Sequence, residues 1–331
     1  MKRLINILMI VALMIGLGAI AAPAQAAAYG TQFITAVTYQ NVGTANATIN
    51  FTFFAAGSST PINVTRPALA PMAASSLFVG DFIAGSFTGS GYLTSNQPIV
   101  ATLVQVPQST TVKSRPLSNA FSAGSASVRL PTVLKGLANT NSIVFIQNVD
   151  SVAADLTVSF IPTTGTTLTE TITNLPSGSA KVYDMGAIAS INGTAIPTFN
   201  GSLVVTSKKT GTATDGLVVA TAMEASTLNN YSAYAFDGFM TAGAKVYMPS
   251  AFCGFTNTAV TNATTFYAVQ NVSTTPATVT VTYSNGNSHA PVVVDPGKKQ
   301  SFDSCAVNTA GFLGAAGPAG RGLVGGTEDS G

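Results

Sequence analysis

Apolar and polar residues alternate strictly in three places along the chain. Ile49, Phe51 and Phe53 are separated by Asn50 and Thr52, and Leu156, Val158 and Phe160 by Thr157 and Ser159. Val279, Val281 and Tyr283 are separated by Thr280 and Thr282. A period of two places one set of side chains on a core and the other in water, which predicts half-buried β-strands. β-branched and aromatic residues fill these positions, as pleated geometry favours. A helix would need apolar residues three and four apart, a spacing these stretches lack.

Each stretch follows a Gln-Asn-Val triplet at the same distance. The triplets are Gln40-Asn41-Val42, Gln147-Asn148-Val149 and Gln270-Asn271-Val272. A second predicted strand follows each stretch, then a proline-led turn: Pro71-Met72-Ala73, Pro176-Ser177-Gly178 and Pro296-Gly297-Lys298. Short apolar strands come next, at Leu77-Phe78, Val182-Tyr183 and Ser301-Phe302. The first two copies share Phe-x-Gly-Ser, at Phe87–Ser90 and Phe199–Ser202, and close on strands from Ile99 and Leu217. Connectors repeat as well: Phe121, Val128 and Pro131 have the same spacing as Phe239, Val246 and Pro249.

The chain therefore reads as an internal repeat. The predicted organisation is a leader over 1–26, repeats over 27–114, 115–235 and 236–315, and a Gly-rich tail without strand periodicity over 316–331. The stretches 109–127 and 226–244, rich in small residues, read as linkers. About seven short strands per repeat, with turn signals between them, predict antiparallel β-sandwiches. The third copy loses the pattern after Phe312. That predicts either a truncated gene product or an open edge filled by a strand from another molecule.

Gln-Asn-Val, the alternating Thr and Val, and the proline turn before a short strand resemble the immunoglobulin-like repeats of bacterial secreted proteins. The cell-adhesion-related bacterial domain is the family they resemble. The resemblance implies an all-β chain of tandem antiparallel immunoglobulin-like β-sandwiches behind a signal-peptide helix. It implies spacer or adhesive modules and brings no catalytic residues.

Lys2 and Arg3 precede an apolar run from Leu4 to Ile20, and Ala24-Gln25-Ala26 fits a small-x-small cleavage site. This is the pattern of a secretory signal, against the alternative of an uncleaved anchor. Cleavage lowers the 14 basic side chains to 12, matching the 12 acidic ones, so the exported protein is neutral. Charged residues are 8% of the chain. A nucleic-acid binder needs a basic excess, and a disordered chain needs more charge and less apolar mass. The expected location is secreted, extracellular or at the cell surface, with no membrane span after cleavage.

Little chemistry accompanies this framework. Cys253 and Cys305 are an even pair in an exported chain, which favours a disulfide over two buried thiols. His289, the single histidine, follows Asn285-Gly286-Asn287-Ser288 and reads as a solvated turn residue. Lys208-Lys209 and Lys298-Lys299 read as charged guards at turns or sheet edges. Tyr231, Tyr234 and Tyr247 offer sugar-stacking faces, though the chain has no tryptophan. No catalytic constellation, metal site or cofactor site is predicted.

The expectation is a secreted, non-enzymatic structural or adhesive protein. Its partners are further copies of itself, or other cell-surface proteins and glycans. Two alternatives stand beside it: a filament or surface-layer subunit assembling by β-strand complementation, and a carbohydrate-binding module.

Overall fold

The computed structural model describes residues 32–108, 114–227, 233–256 and 264–307. The leader, Tyr231, the Phe312 region and the Gly-rich tail lie outside these residues. The fold is almost entirely antiparallel β, in accord with the period-two pattern.

The first segment has seven strands: β1 (Phe33–Asn41), β2 (Ala47–Ala55), β3 (Pro61–Leu69), β4 (Ala74–Phe78), β5 (Gly89–Ser95), β6 (Ile99–Pro107) and β7 (Leu117–Asn119). They form sheets of order β4-β1-β6-β7 and β3-β2-β5. The second has β8 (Ser127–Lys135), β9 (Thr140–Asn148), β10 (Ala154–Pro162), β11 (Leu168–Leu175), β12 (Ala180–Asp184), β13 (Ser190–Ile191) and β14 (Thr194–Ala195). It continues with β15 (Phe199–Lys209), β16 (Val218–Ser226) and β17 (Ala233–Asp237). Their order, β12-β9-β16-β17 and β11-β10-β15-β8, repeats that of the first segment with one strand added. The third shows β18 (Phe266–Gln270), β19 (Ala277–Val279), β20 (Val292–Val294) and β21 (Lys299–Asp303), paired β18-β21 and β19-β20.

Each segment has its own apolar core. Ile49, Phe51 and Phe53 meet Tyr39 and Leu77; Leu156, Val158 and Phe160 meet Ile146 and Tyr183; Val279, Val281 and Tyr283 meet Tyr267 and Phe302. The apolar positions of the predicted alternation are thus the core positions, although Thr52, expected to face water, is buried as well. The two stretches that read as linkers contain edge strands: β7 pairs with β6, and β17 pairs with β16.

The asparagine of each triplet explains why the triplet recurs. Asn41 Nδ2 donates to Ala45 O and Leu69 O, at 2.8 and 2.9 Å, and its Oδ1 accepts from Gly43 N at 2.9 Å. Asn148 makes the same bonds with Val152 O, Leu175 O and Asp150 N. Asn271 makes them with Thr275 O, Val294 O and Ser273 N. All three are at most 5% exposed. The carboxamide serves as a buried backbone substitute: it satisfies the strand-end carbonyl, buried at Leu175 and Val294, and holds an exposed loop carbonyl beside it. It ties the loop after one strand to the end of another in the facing sheet.

Phe-x-Gly has a comparably local cause. A Cβ on Gly89 would lie 2.0 Å from Phe54 O and 2.9 Å from Phe87 Cζ. On Gly201 it would lie 2.3 Å from Ile161 O and 2.8 Å from Phe199 Cζ. The aromatic ring folds over the glycine two residues on, where the neighbouring strand leaves no room for a side chain.

Cys253 and Cys305 form a disulfide in the third segment, beside its small core. The loop it closes spans 52 residues, for which chain entropy gives about 4 kcal/mol of stabilisation.

Asn148→Ala removes three hydrogen bonds and leaves the buried Leu175 carbonyl without the Asn donor, so urea denaturation should show a loss of about 3 kcal/mol. Gln147→Ala, one position away and less buried, should cost about 1 kcal/mol. Equal effects would mean that the asparagine is not the tie described.

Candidate functional site: the junctions between segments

The glutamine of the triplet reaches out of its segment. Gln147 Nε2 donates to Gly178 O at 3.0 Å and to Gly91 O of the first segment at 3.2 Å. Ser90, the serine of the first Phe-x-Gly-Ser, donates from Oγ to the same Gly178 carbonyl at 2.7 Å. Gly57 N donates to Ala180 O at 3.0 Å. The next junction repeats the arrangement: Ser202 Oγ donates to Gly297 O at 2.6 Å and Gln270 Nε2 at 3.0 Å. One turn carbonyl therefore collects a serine from the preceding segment and a glutamine from its own.

Above each carbonyl sits a large apolar residue from the preceding segment. Phe54 occupies a position on the outer side of β2 and is nevertheless only 6% exposed. Its ring covers Gly178, where an added Cβ would lie 2.5 Å from Phe54 Cε2. Ile161, in register with Phe54, covers Gly297, where a Cβ would lie 2.8 Å from Ile161 Cδ1. Both glycines also have positive φ, 78° and 75°, a conformation that favours glycine. The turn glycine thus serves two needs: the reversal of the chain and the close approach of a neighbour.

The first junction is widened by further contacts. Phe33 of β1 packs with Ile143, Met223, Ala225 and Ala233 of the second segment. Asn119 donates from N and Nδ2 to the Asp237 carboxylate at 3.1–3.2 Å, joining edge strands β7 and β17. A hollow of about 330 Å³ beside this junction is lined by Ala56, Gly57, Leu175, Pro176 and Lys181 among others.

The second junction is charged. Lys299, which the sequence placed at a solvated edge, is 5% exposed, and its Nζ donates to Thr132 Oγ1 of β8 at 3.0 Å. Edge guarding does not apply, because β21 docks its first residue against the second segment. Burial holds the Lys299 amine down to about 8, with the Glu224 charge opposing that shift. Glu224 is raised by burial, while Thr132 and Lys299 favour its carboxylate; its Oε1 has no hydrogen-bond partner among the described residues. Lys208 does stand at the surface, paired with Asp215 at 2.5 Å; Lys298 and Lys209 are half-buried, paired at 3.4 Å with Asp295 and with the buried Asp150.

His289 also differs from its expected place in solvent. Its Nε2 lies 3.1 Å from Tyr283 Oη, and its ring packs edge-on to Phe302 with centroids 5.1 Å apart. Burial lowers its pKa against the pull of Asp303. It completes the rim of the third core. Tyr234 and Tyr247 are exposed, at 63% and 70%, but Lys245 Nζ lies over the Tyr247 ring at 5.3 Å. Among the described residues no three His, Cys, Asp or Glu side chains are grouped to hold a metal, and no helix is long and apolar enough to cross a membrane.

No protein family matches this chain, no curated protein is similar to it, and no solved structure resembles it. The junction geometry must therefore carry the functional reading. Its polar half is marked along the chain by Gln-Asn-Val and Phe-x-Gly-Ser. Phe54 and Ile161 sit on the solvent-side phase of the alternation, and that exception was the available signal for the apolar half.

Two predictions test the junctions. Gly178→Ala forces a methyl against Phe54 and should cost about 1–3 kcal/mol, partly recovered by Phe54→Ala in the same chain. An additive double variant would place the strain elsewhere. For Lys299 the folded amine releases its proton near 8 and the unfolded one near 10.5. The unfolded state therefore binds more protons between these values, and stability rises with pH through that window. Urea midpoints measured from about pH 7.5 to about 9, below most tyrosine ionisation, should rise in the native chain and stay flat in Lys299→Met.

Proposed function

We propose that this protein is a secreted, non-enzymatic structural or adhesive component of the cell surface, built from tandem immunoglobulin-like β-sandwich repeats. One observation carries the reading. The polar groups that recur along the chain are spent on joining one segment to the next: Ser90 and Gln147 on Gly178 O, Ser202 and Gln270 on Gly297 O. Fixed junctions suit a chain whose task is to hold length and orientation. The repeated strand order of the first two segments supports the tandem arrangement. The resemblance to cell-adhesion-related bacterial repeats agrees with it, and the signal-like leader accounts for export.

A second reading, assembly by strand complementation, is favoured by the third segment. β18 and β19 each have one ladder partner among the described residues, whereas β9 and β10, their counterparts, have two. A strand edge that carries no ladder among the described residues is one another strand can pair with.

Immunogold labelling of intact producing cells, with fractionation of medium and cytoplasm, tests the principal reading. Label on the outer surface or in the medium, with the leader removed, is the expected result. A cytoplasmic protein retaining residues 1–26 overturns it.

A further inference from the structure

The receiving half of the junction occurs three times, and its first copy faces outward. Gln40 Nε2 donates to Met72 O at 3.0 Å, as Gln147 does to Gly178 O and Gln270 to Gly297 O. The turns superpose in their backbone bonds as well: Met72 N, Gly178 N and Gly297 N donate to Asn41 O, Asn148 O and Asn271 O. Where the second segment is covered, the first is open. Val219 is 6% exposed and its counterpart Val100 is 54%; Ala180 is fully buried and Ala74 is exposed. Gly178 is buried and Met72 is 66% exposed. Ala74, Gln40 and Val100 are cross-strand neighbours on β4, β1 and β6, so they form one patch with Met72 at its rim.

The sizes of the residues at this contact are the decisive feature. At the two internal junctions the preceding segment offers a large residue, Phe54 or Ile161, and the following turn offers glycine. In the register that aligns Ile49, Leu156 and Val279, the third segment carries Ser284 in place of Phe54 and Ile161. Ser284 is exposed, in the turn after Tyr283. The outward-facing turn of the first segment carries Met72, with φ of 61°, in place of glycine. Large on small has become small on large. A Phe or Ile could not sit over Met72, and a serine leaves the room its side chain needs.

We propose that the Gln40–Met72 face of the first segment is a docking surface for the third segment of a second copy of this chain, with Met72 seated over Ser284. The contact is heterologous, because the two faces differ, so each copy offers one of each and association runs head to tail into open filaments. It keeps the stacking half of the internal junction geometry rather than strand exchange; the position of Ser90 and Ser202 is Ala315 in the third segment, so the serine donor is not part of this contact. The inference rests on the reading of the protein as an extracellular structural component and states how its copies would meet.

Cysteine pairing tests the contact directly. A mixture of the full-length Met72→Cys and Ser284→Cys variants, oxidised and run on a non-reducing gel, should give a cross-linked dimer, while neither variant alone does. Both positions are exposed, so folding should be unaffected; thermal melting equal to that of the parent chain checks this. In sedimentation velocity the parent chain should associate with rising concentration, and Val100→Glu should weaken that association at least about tenfold by burying a charge. A parent chain that remains monomeric at every concentration overturns the proposal and assigns the two altered faces to capping. Association that persists in Val100→Glu, or cross-linking of Met72→Cys with itself, also overturns it. These outcomes separate from those of the surface labelling: a surface-located monomer sinks the docking face alone, and an assembling cytoplasmic protein sinks the functional reading alone.

Discussion

The buried carboxamide of Asn41, Asn148 and Asn271 is the interaction on which the rest of the structure depends. Each holds the loop that follows one strand against the end of a strand in the facing sheet. Without it, the strand-end carbonyl of Leu69, Leu175 or Val294 would lose the Asn donor, at a cost of the order of 1–3 kcal/mol where that residue is buried, as Leu175 and Val294 are. Because the Asn backbone also accepts from the turn residue three positions beyond the tied strand, the same residue fixes where the turn carbonyl points. That carbonyl is the acceptor at the junctions. The fold within a segment and the docking between segments therefore share one origin.

Much of the fold was legible because its signals are local. Alternation in residues 49–53, 156–160 and 279–283 is a one-dimensional record of a two-sided strand, and each apolar position in it is buried. The disulfide was legible from an even cysteine count. The edge strands β7 and β17 were not, since Leu117–Asn119 and Ala233–Asp237 lack alternation and form strands only because β6 and β16 offer them a ladder. Tertiary context decided there against local pattern. Lys299 and His289 were misplaced for the same reason. Charge and turn position argued for water, yet Thr132 lies 167 residues from Lys299, and Phe302 comes to His289 only when β21 folds back.

The site was half legible. Gln147 and Ser90 belong to motifs that repeat, so the sequence marked them without revealing that they meet on one atom. Phe54 and Ile161 carry no motif. Their phase is wrong for their own core, and only the neighbouring segment gives that phase a meaning. A residue that breaks the period of its strand is informative when the break recurs at the same register, as these two do and as Ser284 does not.

The difference between the two internal junctions also bears on why the segments keep their order. The position buried as Ala180 at the first junction is Lys299 at the second. Lys299 is tolerable there because Glu224 and Thr132 face it. The first segment places Gln105 at the register of Glu224, where it accepts from Thr35 at 2.9 Å. Docking the third segment onto the first within one chain would bury the Lys299 amine against a neutral amide already in use. A buried cation without a carboxylate costs several kcal/mol, more than a neutral junction of this size recovers. The charged pair adds little to stability when satisfied, and its energetic weight falls on the wrong pairing. In a chain built from similar segments that share one docking geometry, such a penalty keeps the third segment behind the second.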